Sequence, residues 1–135
     1  MAENIRLEVV TPEKSVVSES AQIVMAPGSL GEFGVLSGHT PFLTTLKTGS
    51  LKYKDANGKE RFVFISSGFA EALPDRVTVL AESAERRREI DLSRAKAAAE
   101  RAEQRLQSKD PNVDYVRAKA ALLRAISRLQ LLGAV

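Results

Sequence analysis

Six arginines in the last third of this chain occupy two matching sets of positions. Arg94, Arg101 and Arg105 are separated by the same seven and four positions as Arg117, Arg124 and Arg128. On an α-helix those intervals gather each set into one stripe, although like charges four apart disfavour an isolated helix by roughly a few tenths of a kcal/mol. A stripe of this kind is either a solvated face or a contact for an anionic partner: a phosphorylated ligand, an acidic protein surface or nucleic acid. His39 is the only histidine, and its neighbours Ser37, Thr40 and Thr44 supply hydroxyls without a second imidazole. A structural or interface role suits it better than catalysis, because no base and nucleophile pair forms around it. Cysteine is absent, which removes disulfides, thiolate metal sites and thiol nucleophiles together. Gly28, Gly31, Gly34 and Gly38 have the density of a phosphate loop but lack the following Lys-Ser/Thr and a helix behind them, so turns and bulges explain them better. Nothing in the chain suggests a metal cluster or a hydrolytic centre.

The elements that carry these residues follow from composition. The chain has 135 residues, 44% hydrophobic and 27% charged, enough for one ordinary domain or two small ones that bury roughly two-thirds of the unfolded surface. No apolar run approaches the roughly 18 residues of a membrane span, and Met1 to Leu7 lacks the apolar centre of a signal peptide. No direct membrane insertion is expected, and the chain is expected to stay in the compartment where it is made. The net charge of +3 conceals a division: residues 1–84 carry net −2 and residues 85–135 carry net +5. Six of the seven aromatics, seven of the eight glycines and four of the five prolines precede residue 85, while ten alanines follow it. Two modules are therefore expected, 1–84 and 85–135.

The first module reads as β. Ile5, Leu7 and Val9 alternate with Arg6 and Glu8, and short runs follow at 16–19, 21–26, 33–36, 43–46, 50–54, 61–66, 69–73 and 76–81. Asp55 to Lys59, with Asn57-Gly58, and Pro74-Asp75 mark tight hairpins. The expectation is an all-β sandwich of about ten short antiparallel strands. Phe62-Val63-Phe64-Ile65 is apolar on both faces, as in a strand covered on two sides.

The second module changes period. Leu92, Ala95, Ala99, Ala102 and Leu106 share one helical face, with Asp91 as its cap. Asp110-Pro111 is expected to start a second helix whose apolar face runs Tyr115, Ala118, Leu122, Ala125, Leu129 and Leu132, with Gly133 ending it. The result is a C-terminal antiparallel α-helical hairpin. A buried methyl contributes only about 0.8 kcal/mol, so an alanine face docks weakly while high helix propensity keeps each helix formed. That is the composition of a movable element.

Several segments carry a resemblance to a known family. Gly31-Glu32-Phe33-Gly34-Val35-Leu36-Ser37-Gly38-His39-Thr40-Pro41-Phe42-Leu43-Thr44, then Leu46-Lys47-Thr48-Gly49, Ser67-Gly68-Phe69-Ala70-Glu71, Val77-Thr78-Val79-Leu80-Ala81 and Ile90-Asp91-Leu92-Ser93-Arg94-Ala95 occur in the family's order. From about Ile5 to Leu129 the chain resembles the epsilon subunit of the rotary proton-translocating ATP synthase, of bacterial or plastid type. The resemblance implies a non-catalytic rotor subunit whose partners are the gamma subunit, the c-ring and the alpha/beta catalytic hexamer. Glu32 and His39 match c-ring contacts. The family's helices either fold against the sandwich or extend along gamma, where they inhibit ATP hydrolysis. No cofactor is required. ATP is implied as a regulatory ligand, at positions matching Glu85, Ile90, Asp91, Arg94, Ala95, Arg101, Arg124 and Arg128. The implied location is the cytoplasmic face of the bacterial inner membrane, or a plastid thylakoid. Arg86-Arg87-Arg88 precedes the motif and serves either ligand or protein. An alternative reading is a free-standing ATP-sensing module that opens and closes. Nucleic-acid binding is disfavoured, since aromatics do not interleave with the basic residues.

Overall fold

The computed structural model describes residues 3–134, so Met1, Ala2 and Val135 of the two expected modules lie outside the described residues. The chain forms two compact units that part between Arg87 and Arg88. The first contains β1 (Ile5–Val10), β2 (Ser15–Gly28), β3 (Gly31–Val35), β4 (Phe42–Leu46), β5 (Gly49–Asp55), β6 (Glu60–Ile65), β7 (Gly68–Leu73), β8 (Arg76–Ala81) and β9 (Ala84–Arg86). A 3₁₀ turn (Arg87–Glu89) leads to α1 (Leu92–Gln107) and α2 (Tyr115–Leu131).

The strands follow the order β1-β8-β7-β4-β2-β5-β6-β9, with β3 beside β2, and β1 also pairs with β2. The fourteen-residue β2 is long enough to serve both layers of the sandwich. Its first half pairs with β1, and its second half with β5 and β3. Alternation sends Ile5, Leu7, Val9, Leu51, Tyr53, Val63, Ile65, Val77 and Val79 into one core, where all are fully buried. Both hairpins read from the sequence are present. At the first, Asp55 Oδ1 accepts from the backbone N–H of Asn57 and Lys59, at 2.9 and 3.0 Å. The Lys59 N–H, burial working against it, and the Arg61 guanidinium together hold the Asp55 carboxyl below its ordinary pKa.

Three details depart from the sequence reading. The runs at 16–19 and 21–26 are one strand: a register shift between Ala21 and Ile23 moves the buried positions from odd (Val17, Ala21) to even (Val24, Ala26), so one strand has the pattern of two. Pairing is not antiparallel throughout, because β1 runs parallel to β8 from Arg6↔Arg76 to Val10↔Leu80. The expected division at 84/85 falls inside β9 (Ala84–Arg86), which pairs with β6.

In the second unit, Asp91 caps α1 by accepting from the Arg94 N–H at 3.1 Å. The cap of α2 is Asp114, accepting from Arg117 N–H at 3.0 Å, and not Asp110. Asp110 instead accepts from Asn112 N–H at 2.9 Å, and its carbonyl closes a turn onto Val113 N–H. Asp-Pro-Asn is a turn sequence as readily as a helix start, and the second aspartate stands where the helical N–H groups begin. Ala95 and Ala99 near the start of α1 cluster with Ala125 and Leu129 near the end of α2, so the helices are antiparallel. Ala102 and Ala118 are also buried, whereas Leu92 and Tyr115 at the outer ends of the stripes are 42% and 44% exposed. A Schellman pair, Gly133 N–H to the Gln130 carbonyl and Ala134 N–H to that of Leu129, ends α2. Among the described residues, no helix is long and apolar enough to cross a membrane.

Candidate functional site

The arginines sort onto one side of the hairpin. Arg94 stands one position before Ala95, Arg101 before Ala102, Arg124 before Ala125 and Arg128 before Leu129, and each of those followers is buried. One position is a rotation of about 100° on an α-helix, and in an antiparallel pair the same backward step on both helices leads to the same flank. Arg117 before Ala118 obeys the same rule, and Arg105 precedes the half-buried Leu106. The opposite flank mixes signs, since Lys96, Glu100, Glu103 and Lys119 each follow a buried alanine. Arg94 and Arg101 are exposed, and Arg124 and Arg128 are half-buried. A row of guanidinium groups fed from two helices suits a ligand with several anionic oxygens.

Asp91 and Ala95 belong to the same unit, the first as the α1 cap and the second within the seam. Ile90 is buried immediately before the cap. Glu85 is on β9, in the other compact unit. The eight positions thus divide seven to one between the units.

Glu32 and His39 are both in the sandwich. Glu32 is exposed on β3, opposite Pro27. His39 is half-buried in the loop after β3; its Nδ1 donates to the Thr40 carbonyl at 2.6 Å, and its ring meets Phe42 edge-on at 4.9 Å. Phe42 in turn meets Phe33, the neighbour of Glu32, at 5.1 Å. This ring series fixes the loop between the two residues. Leu30 at the β2–β3 turn is fully exposed. On the outer face of the β4-β7-β8-β1 layer, the paired residues Phe69, Leu80 and Val10 form an apolar row along a groove that Pro12, Leu46 and Glu82 also line.

Comparison with known proteins agrees with both units. A family model described as the beta-sandwich domain of the ATP synthase delta/epsilon chain matches residues 4–87, and its long alpha-helix companion matches residues 88–133. The chain belongs to the delta/epsilon family of ATP synthase. Relatives in this family include the ATP synthase epsilon chain of Desulfosudis oleivorans, 71% identical over 108 residues that span 80% of this chain and 81% of the relative. That of Nitratidesulfovibrio vulgaris is 56% identical over 115 residues, 85% of each chain. Among solved structures, a chain of the Euglena gracilis mitochondrial ATP synthase, from a structure of its OSCP/F1/c-ring, superimposes with a TM-score of 0.83 at 27% identity, over 96% of this chain and 81% of that one. A chain of the Tetrahymena thermophila mitochondrial ATP synthase central stalk and c-ring shares the fold, with a TM-score of 0.54 at 14% identity over 99% of this chain and 98% of that one.

Against this ATP synthase delta/epsilon fold, two features stand out that the sequence reading missed. One is the apolar row, whose members are scattered over three strands and meet only through register. The other concerns Arg86-Arg87-Arg88, where the first two arginines are engaged within the sandwich. Arg86 Nε donates to the Val16 carbonyl at 3.0 Å, and Arg87 lies over the Phe62 ring at 5.2 Å. No spacing rule links residue 86 to residue 16.

Proposed function

We propose that this chain is a non-catalytic rotor subunit of the central stalk of ATP synthase, coupling catalysis to proton translocation and restraining ATP hydrolysis through movement of its C-terminal helices. The observation that carries this reading is the seam of the hairpin. Its buried positions are mostly alanine, on a unit separate from a fully packed sandwich. Each seam methyl contributes about 0.8 kcal/mol, so the helices can part at a small fraction of the cost of unfolding the sandwich. In this reading the sandwich is the fixed part. Its apolar row meets the gamma subunit, Glu32 and His39 meet the c-ring, and the subunit is held peripherally at the cytoplasmic face of the membrane. The arginine flank then has two anionic partners, acidic segments of the alpha/beta hexamer when the hairpin is open and ATP when it is closed. Asp91, Arg94, Arg101, Arg124 and Arg128, with Ile90, Ala95 and Glu85, are the positions assigned to the nucleotide.

The test is ATP hydrolysis by the complex reconstituted with the full chain or with a chain ending at Arg87. The shorter chain is expected to leave proton pumping coupled and to raise hydrolysis several-fold. Unchanged hydrolysis would remove the inhibitory role. The arginine flank also favours a second reading, a free-standing ATP sensor, in which the chain would bind MgATP without entering any complex.

A further inference from the structure

The exit of the chain from the sandwich poses a mechanical problem. β9 has three residues, lies at the end of the strand order and pairs with β6 alone. So short an edge strand is held weakly by its ladder. Its side chains alternate, so Ala84 enters the core and Arg86, two positions on, points the same way. There Arg86 meets Tyr53 of β5 and Glu19 of β2. Its Nη1 donates to the Tyr53 hydroxyl at 3.2 Å and lies 3.8 Å from Glu19 Oε1, while its Nε reaches the Val16 carbonyl. The Tyr53 hydroxyl donates to Glu19 in turn. The hydrogen bonds therefore run in one direction, from guanidinium to phenol to carboxylate.

Tyr53 is fully buried in an otherwise apolar core. A phenylalanine would supply the same packing without a polar group to satisfy, so the hydroxyl points to a task beyond filling space. Burial, with the bond to Glu19, pushes its pKa up to about 12, and the phenol stays protonated as both donor and acceptor at neutral pH. Arg87, the next residue, stacks over Phe62 of β6. Beyond it come only the 3₁₀ turn, Ile90 and the cap Asp91 before α1 begins.

We propose that Arg86, held by Tyr53, Glu19 and the Val16 carbonyl, is a hinge anchor that fixes the last strand and confines any reorientation of the helical hairpin to residues 88–91. This rests on the reading of the hairpin as a moving element. The anchor converts a run of arginines into two functions: the first fastens, and the chain after the second is left to turn. It is a positioning device and makes no contact with nucleotide.

The run itself supplies the assay, because trypsin cleaves after each arginine. In the full-length chain, cleavage after Arg88 is expected to be fast and cleavage after Arg86 slow. Tyr53→Phe and Glu19→Gln keep every tryptic site, so either change is expected to accelerate cleavage after Arg86 at least tenfold, with cleavage after Lys52 and Arg61 unchanged. In parallel, the distance distribution between spin labels at Glu60→Cys and Lys119→Cys, both exposed positions, should broaden in the same variants. Unchanged cleavage after Arg86 overturns the anchor. So does acceleration shared with Lys52 and Arg61, which would mean general loosening, or an unaltered label distribution despite faster cleavage. Neither readout uses the assembled complex, so the hydrolysis assay with the chain ending at Arg87 decides the rotor reading separately.

Discussion

Gly68→Ala is expected to remove a large part of the stability of the sandwich. Gly68 opens β7, opposite Leu46 on one side and Ala81 on the other, with φ at +150°. A Cβ there would lie 2.0 Å from the Leu80 carbonyl oxygen and 2.9 Å from the Ala81 Cα. Both obstacles are backbone within a paired strand, so neither can swing aside, and the torsion is hostile to any L side chain. Relief requires pulling β7 from β8 in the middle of the core layer. The expected loss exceeds about 4 kcal/mol, from a total stability of about 5–15 kcal/mol. Gly31→Ala is the control, since φ there is +138° but nothing lies within 4 Å of the added carbon; torsional strain alone should remove about 1–3 kcal/mol. Urea unfolding of the full chain measures both. Equal midpoints for the two variants would mean that the β7–β8 approach is not as close as described.

The second large effect is expected at Ala125→Glu. Ala125 is 1% exposed and belongs to the seam with Ala95, Ala99 and Leu129. A carboxylate placed there has no room and no partner, and burying it unpaired costs several times the roughly 0.8 kcal/mol that one seam methyl contributes. The hairpin should open. Undocked helices of 16 and 17 residues keep much of their helix through high propensity and fray where packing held them, so helical circular dichroism should fall only in part. The core residues of the sandwich lie in a separate cluster, and their resonances should not shift. Ala120→Glu, at an exposed position of the same helix, should change neither. A coupled loss of sandwich signals in Ala125→Glu would show that the two units unfold as one.

Much of this architecture was legible from period alone. Alternation located most strands, and the three-and-four spacing of alanines located both helices and their facing sides. What remained hidden depends on register or long-range contact. The shift near Gln22 made β2 look like two strands, and Ala84-Glu85-Arg86 has no apolar run to announce β9. The parallel β1–β8 pair joins segments about seventy residues apart in sequence. Asp110 and Asp114 both fit a cap rule, and only the hydrogen bonds choose between them. The arginine stripes were visible as stripes. That they share a flank follows once the helices are antiparallel and the seam residues are known. Arg86 looked like one member of a charge run, because sequence spacing says nothing about a carbonyl at residue 16.

A hairpin that opens independently of the sandwich exposes its amides without unfolding the strands. Native-state hydrogen exchange on the full chain tests this independence most directly. Amides of α1 and α2 within 95–107 and 118–131 should exchange through an opening with a free energy well below that of the β1, β5 and β6 amides, and added denaturant should merge the two classes only near global unfolding. A single exchange free energy shared by helices and strands would contradict the account.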